Sequence, residues 1–342
     1  MSPEAHFTPA VVRAAHDVAS DVRMIEIVPS GVAVAYPTGS HIDIAVEIAG
    51  LPDVRSYSLV GERPLEGAYR IAVKEIANSR GGSRFVRALG PGTRVEISKP
   101  KCHFELQYGR REYLLVAAGI GITPIVGMAH GLARHGRPFR LLYAARTRGQ
   151  MPFLAELSAL LADRLEVFVS AEGKRIDLGE QIDRLGDDAE VYLCGPLRMR
   201  EAAQKVWREC GRQPDRLRFE TFASGGRFAP EEFMVRVHDQ ADREIVVDRD
   251  RTMLDALTEA GVELMWDCRR GECGLCQVTV LEVEGVLDHR DVYLSEEEQA
   301  EGRLLLSCVS RAVGGGITID SGFRPAGRPA AAPTSVREEH NG

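Results

Sequence analysis

Three cysteines sit within nine residues in the stretch "WDCRRGECGLCQ", which begins at Trp266: Cys268, Cys273 and Cys276. Their spacing is C-x4-C-x2-C, with Gly271 and Gly274 between them. A fourth, Cys308 in "LLLSCVSRA", follows Cys276 after 31 intervening residues. Four thiolates can hold a soft metal. Structural zinc usually takes two separated close pairs of cysteines. Here three ligands arise from one loop, and C-x4-C-x2-C…C is a ligand spacing of [2Fe–2S] clusters. Iron–sulfur is therefore favoured, with zinc and coincidental core cysteines as the alternatives. The two glycines let the backbone approach inorganic sulfides and point N–H groups at them, which tunes a cluster's potential. Cys102 and Cys210 stand alone and read as ordinary thiols.

Other stretches carry phosphate-binding and ring-binding chemistry. In "RSYSL", Arg55 could pair with a phosphate, Tyr57 lie against a ring and Ser58 donate a hydrogen bond. The plain alternative is a strand with an exposed arginine. In "RGGSRFV", Gly81, Gly82 and Ser83 precede an apolar helical turn, the make-up of a phosphate-binding helix N-terminus. Lys74, at the end of "IAVK", lies just before it. "AAGIGITPI" places Gly119 and Gly121 at a strand-to-helix turn, with Thr123 and with Pro124 in place of the last glycine of a dinucleotide fingerprint. "YLCGP" ends a later strand with Cys194, Gly195 and Pro196. For Cys194 alone, the plain reading is a buried strand cysteine.

The elements that must position these residues fall into three groups. From Val22, "VRMIEIVPS", "HIDIAVEIAG", "RSYSLVG", "AYRIAVKEI" and "RVEISKP" read as short strands with Pro and Gly turns, an antiparallel barrel ending near Lys101. Residues 1 to about 17 read as a loosely held arm. From about Arg111, strands alternate with helices: "EYLLVAAG", "TPIVGMAHGLARHG", "FRLLYAAR", "MPFLAELSALLADR", "LEVFVSA", "AEVYLCGP", "LRMREAAQKVWREC" and "LRFETFA". That alternation specifies a parallel α/β sheet. "SGGRFAPEE" reads as a linker, followed by strands "FMVRVHD" and "REIVVDR", helix "TMLDALTEAG" and the cysteine loop. The expected boundaries are 18–108, 109–225 and 231–323, with 324–342 a disordered Pro- and Ala-rich tail.

Composition narrows the function. The net charge is −7, but residues 231–323 carry 21 acidic and 9 basic residues, a balance of −12 that leaves about +5 elsewhere. A separate acidic domain that meets a partner electrostatically follows from that split. The lack of a basic stripe speaks against nucleic acid. The uncharged stretch Tyr113–Ala129 is near membrane-spanning length, but Gly119, Gly121 and Pro124 interrupt it, so no membrane is expected. The start shows no signal-peptide pattern, and seven cysteines with three clustered imply a reducing cytoplasm.

From Phe233 to Phe323 the chain resembles a plant-type ferredoxin. "RSYSL" resembles the R-x-Y-S flavin motif of the ferredoxin–NADP reductase superfamily, and "GIGITP" with "YLCGP" resembles its nicotinamide-dinucleotide turns. The order of units over residues 20–323, with "RGGSRFV", "FETF" and "DHRD", resembles the phthalate dioxygenase reductase group. The resemblance implies a multidomain protein: an antiparallel β-barrel flavin domain, an α/β parallel-sheet nucleotide domain and an α+β plant-type ferredoxin domain. It implies FMN held by Arg55, Tyr57, Ser58, Lys74, Gly81, Gly82, Ser83 and Thr123, with Phe222 of "FETFAS" covering the ring. The absence of an adenosine-binding segment after Ser83 agrees with FMN rather than FAD. NAD would lie against Gly119, Gly121, Thr123, Pro124, Cys194, Gly195 and Pro196. Where a dinucleotide site that prefers NADH often carries an acid, this chain has Arg146 and Arg148, so NADH is favoured only slightly and NADPH stays open.

The implied activity is electron transfer from NAD(P)H through flavin to the cluster and on to a Rieske-type terminal oxygenase. Nicotinamide gives two electrons as a hydride, the cluster takes one at a time, and flavin can divide the pair. Hydride transfer needs no acid–base residue, so none is assigned. The alternatives are a reductase for a haem monooxygenase and a one-electron carrier without nicotinamide binding. The protein is expected to act as a cytoplasmic monomer. The partner's substrate is not written in this chain.

Overall fold

The structure, a computed structural model, describes residues 7–48, 51–75, 81–220, 222, 228, 230–249 and 251–322. The chain forms two compact units, residues 4–223 and 224–342.

The first unit begins with β1 (Thr8–Ala19), β2 (Val22–Pro29), β3 (Ser40–Ile48), β4 (Leu51–Ser58), β5 (Tyr69–Lys74), α1 (Gly82–Arg87), β6 (Arg94–Ile97) and β7 (Lys101–Cys102). They form one antiparallel sheet in the order β4-β3-β6-β1-β2-β5, with β7 added to β3. An antiparallel bridge from Leu59 to Ile71 joins the β4 side to β5, so the sheet curls on itself as a barrel. Alternate residues point inward: Ile25 and Ile27 of β2, Ile42 and Ile44 of β3, and Ile71 and Val73 of β5 fill its core.

The expected N-terminal arm is corrected here. Residues 8–19 are the longest strand of the sheet and pair with both β2 and β6. The register of β1 slips between Val12 and Ala14 and between Asp17 and Ala19. Each slip breaks the period-2 alternation by which a strand is recognised in sequence.

The same unit continues with β8 (Tyr113–Ala118), α2 (Ile122–Arg134), β9 (Phe139–Ala145), α3 (Leu154–Leu161), β10 (Leu165–Val169), α4 (Leu178–Asp183), β11 (Glu190–Cys194), α5 (Leu197–Glu209) and β12 (Leu217–Glu220). The strands are parallel, in the order β10-β9-β8-β11-β12. β8 and β11 are buried along their length, as a strand covered on both faces must be. The chain runs outward from β8 to β10, then returns to β11 and runs the other way. The junction of β8 and β11 is therefore the topological switch point, where open α/β sheets bind ligands. Barrel and sheet share one core, in which Val22, Met24, Val60 and Ala72 join Tyr113, Ile125 and Tyr143.

The second unit contains β13 (Phe233–Val237), β14 (Arg243–Val247), α6 (Met253–Glu259), β15 (Gln277–Val283), β16 (Val286–Asp288), α7 (Glu296–Glu301), β17 (Leu304–Leu306), β18 (Arg311–Val313) and β19 (Gly316–Asp320). The main sheet runs β14-β13-β19-β15-β17, with β13 and β19 parallel and its other pairs antiparallel, and β16 pairs β18. Thr252 caps α6 by accepting the Asp255 N–H, and Ser295 with Glu298 forms a capping box on α7. The expected tail, 324–342, lies outside the described residues. Among the described residues, no helix is long and apolar enough to cross a membrane.

Candidate functional site

The four expected metal ligands converge. Cys268, Cys276 and Cys308 are buried, and Cys273 is half-buried. Cys268 lies beside Cys273 and Cys276 beside Cys308, so the thiols fall into two interacting pairs. Two pairs suit a [2Fe–2S] cluster, in which each of two irons takes two protein thiolates. The backbone N–H groups of Arg270 and Glu272 each lie 3.4 Å from Cys268 Sγ, and that of Gly271 reaches Cys308. These donors would stabilise thiolate charge.

The loop reaches this shape through left-handed backbone at Arg269 (φ 53°), Gly271 (φ 73°) and Gly274 (φ 78°). Both glycines are also hemmed in. A Cβ on Gly271 would come within 2.9 Å of Asp291 Cα, and one on Gly274 within 2.4 Å of the Tyr293 ring. Arg269 is held by Asp255 and stacks over Trp266 at 4.9 Å. The donor set and its amides thus fit an iron–sulfur cluster.

In the first unit, β4 carries Arg55, Tyr57 and Ser58 past the start of α1. Arg55 lies so near that start that a Cβ on Gly82 would be 2.2 Å from its Nε. Gly81 precedes the helix in left-handed backbone at φ 106°. Among the described residues, the buried Ser83 hydroxyl has no hydrogen-bond partner. A guanidinium, a helix N-terminus and an unsatisfied buried hydroxyl therefore come together, which fits a bound phosphate. Arg55 also pairs with Asp53 at 2.6 Å and donates to the Val54 carbonyl at 2.8 Å.

Burial pushes the Tyr57 phenol up to about 12, so it stays neutral. Lys74 pairs with Asp21 at 3.2 Å, and its Nζ lies 3.8 Å from where a Gly119 Cβ would be. Lys74 and the glycine turn are therefore neighbours. Phe222, just after β12, is exposed.

The two nucleotide motifs meet at the switch point. A Cβ on Gly121 would sit 2.2 Å from the Cys194 carbonyl oxygen, so only glycine lets the turn after β8 reach the end of β11. Gly195 in turn faces Ala118 and Met199. Gly119 has φ 57°. Thr123 is buried in the first turn of α2 and donates to the Ile120 carbonyl at 3.0 Å. Pro124 also falls in that turn, where a missing N–H costs nothing. Cys194 is fully buried in the core shared with the barrel. Arg146 and Arg148 follow β9 and are exposed.

Two further residues emerge only from the fold. Glu220, the last residue of β12, is 2% exposed and accepts a hydrogen bond from the Ser58 hydroxyl at 3.3 Å. Glu172, after β10, grips Arg148 through two bonds of 2.9 and 3.2 Å. In sequence, the one signal for Glu220 is an acid inside the apolar "FETF". Glu172 carries none.

Comparison with known proteins agrees with this geometry. Residues 9–106 match the oxidoreductase FAD-binding domain, residues 115–205 the oxidoreductase NAD-binding domain, and residues 236–313 the 2Fe-2S iron-sulfur cluster binding domain. The chain is 37% identical to the toluene-4-sulfonate monooxygenase system reductase subunit TsaB1 of Comamonas testosteroni, over 94% of this chain and all of that one. It is 35% identical to the haem-dependent oxidative N-demethylase beta subunit of Ectopseudomonas mendocina, over 83% of this chain and 89% of that one. The crystal structure of phthalate dioxygenase reductase superposes with a TM-score of 0.76 at 27% identity, over 94% of this chain and all of that one. With its flavin, nicotinamide and [2Fe–2S] domains in that order, the chain belongs to the family of NAD(P)H-dependent oxygenase reductases that includes phthalate dioxygenase reductase.

Proposed function

We propose that the protein passes electrons from NADH through FMN to its [2Fe–2S] cluster and on to a Rieske-type terminal oxygenase. Bound flavin supplies the means to split a hydride's electron pair into single electrons. This chain's residues hold and orient. Arg55, the α1 N-terminus with Gly81 and Gly82, and Ser83 take the flavin phosphate. Tyr57, Ser58, Thr123 and Phe222 line the ring, and Lys74 lies beside it. Gly119, Gly121, Pro124, Cys194, Gly195 and Pro196 shape the nicotinamide end of the crevice. Cys268, Cys273, Cys276 and Cys308 ligate the cluster. The three modules take residues 18–108, 109–225 and 231–323, the first extended back to include β1.

The phosphate site rests on Arg55 lying against Gly82 beside the Ser83 hydroxyl, which is unpaired among the described residues, and the choice of FMN on the lack of an adenosine-binding segment after Ser83. Flavin released by heat and separated by chromatography should be FMN, one per chain. FAD in that position would overturn the assignment.

The oxygenase partner rests on the relatives' names and on the acidic balance of residues 231–323. The N-demethylase relative, haem-dependent by name, favours a haem partner as the second reading. NADH-driven turnover with a Rieske oxygenase against a haem monooxygenase separates the two. We take the protein to work as a cytoplasmic monomer, which size-exclusion chromatography of the holoprotein would test.

A further inference from the structure

A carboxylate outside the ligand set abuts the cluster loop. The Asp291 side chain is fully buried. Its Oδ2 accepts the Leu294 N–H at 2.9 Å, and its Oδ1 accepts the Ser310 hydroxyl at 3.1 Å. The Ser310 oxygen in turn accepts the Arg290 N–H at 3.0 Å. Ser310 stands two positions beyond Cys308. The same segment grips the other ligand loop: the Val292 N–H donates to the Gly271 carbonyl at 2.9 Å. The Gly271 N–H reaches Cys308. The Asp291 carboxylate is thus bonded to Ser310 beyond Cys308, while its neighbour Val292 is bonded to Gly271 of the other cysteine loop.

The ion-pair partner of Asp291 in that network is His289, which carries a charge only when protonated. Arg290 is engaged by Asp288 at 2.6 Å, and His289 Nδ1 stands 3.7 Å from Asp291, beyond hydrogen-bond range. Burial would push the Asp291 carboxyl up, but His289 nearby and the Leu294 and Ser310 donors more than offset it, holding it below the usual carboxylate range. A buried negative charge beside an electron acceptor opposes the incoming electron, because the protein interior screens weakly.

We propose that Asp291 sets the reduction potential of the [2Fe–2S] cluster, its buried charge holding that potential down. The proposal rests on the reading of the four cysteines as cluster ligands. It assigns Asp291 a tuning and positioning role rather than ligation.

Redox titration of the purified holoprotein, followed by the electron paramagnetic resonance of the reduced cluster, tests it. Asp291→Asn removes the charge and keeps the shape. At any fixed potential it should raise the reduced-to-oxidised ratio about tenfold, a midpoint shift of about 59 mV upward for one electron. Ser310→Ala keeps the charge and removes one hydrogen bond, so its midpoint should move much less. An Asp291→Asn midpoint equal to that of the unaltered protein would overturn the proposal. So would an equal shift in Ser310→Ala, which would make loop geometry the cause. If Asp291→Asn fails to retain a cluster, Asp291→Glu decides: it should stay near the original midpoint, and a tenfold shift there would count against charge. A reduced but otherwise unaltered protein with no cluster resonance would instead sink the reading of the cysteines.

Discussion

Ser58 and Glu220, 162 residues apart in the chain, meet in a buried hydrogen bond of 3.3 Å. It links β4 of the barrel to β12, the last strand of the parallel sheet. An acceptor at that point fixes which way the Ser58 hydroxyl turns. Glu220→Gln offers a donor as well as an acceptor and should let the hydroxyl swing. We expect flavin reduction by NADH, followed by stopped-flow absorbance, to slow roughly tenfold, about 1.4 kcal/mol in the barrier. Flavin content should be unchanged. An unaltered rate with normal flavin content would make the bond purely structural.

The second prediction concerns nucleotide choice. Arg148, one of the two arginines that could welcome a 2′-phosphate, is paired with Glu172. The pair is largely exposed, so its own contribution to stability is small. Its effect on an incoming dianion should be larger, because Glu172 both neutralises Arg148 and repels phosphate. Glu172→Gln should raise kcat/KM for NADPH about tenfold, equivalent to about 1.4 kcal/mol, and leave NADH within a factor of two or so. Steady-state kinetics with both nucleotides would show it. An equal gain for both would refute discrimination by charge.

Gly121 gives a stability prediction. Its Cβ position is 2.2 Å from the Cys194 carbonyl oxygen and 2.6 Å from the carbonyl carbon. Backbone cannot rotate away as a side chain can. Gly121→Ala should therefore cost about 2 kcal/mol and lower the unfolding temperature of the first unit by several degrees. It should also raise KM for NADH, since the displaced segments line the crevice. Calorimetry with no shift would mean that β8 and β11 separate more easily than their packing suggests.

Breaking the cluster should uncouple the chain's two halves. Cys273→Ser leaves the first unit's core untouched, so NADH should still reduce the flavin at nearly the normal rate. Delivery to a Rieske partner, or to cytochrome c as a surrogate, should collapse. In the unaltered protein, delivery should weaken with added salt, because charges that dock the acidic unit are screened over about 10 Å at 0.1 M. A serine variant that reduces its partner normally would put the cluster off the path.

How much of this was legible in the sequence varies with the physics of each element. The [2Fe–2S] domain was, because a metal site dictates residue type and spacing together. The parallel sheet was as well, since strands buried on both faces write continuous apolar runs such as "YLLVAA". β1 was not: its two register slips and the charged or polar Arg13, His16 and Asp17 disguise the alternation. α4 was also missed, a six-residue helix announced mainly by its Asp177 cap. Glu172 escaped because an acid was sought just after β9, whereas the sheet brings one across from the end of β10. Its position is a fact of strand order, which a linear reading cannot see.

The shared core of barrel and parallel sheet bears on how such a protein can be rearranged. Val22, Met24, Val60 and Ala72 of the barrel are buried together with Ile125 and Tyr143 of the sheet. A cut near residue 108 would strip both halves of apolar cover and leave each prone to aggregate. The chain divides at residues 223–224 into its two compact units, the second of which carries the four cysteines. Three cofactor sites are thus carried on two inheritable cassettes. Recombination can move or exchange the iron–sulfur cassette as a whole, whereas flavin and nicotinamide binding must travel together.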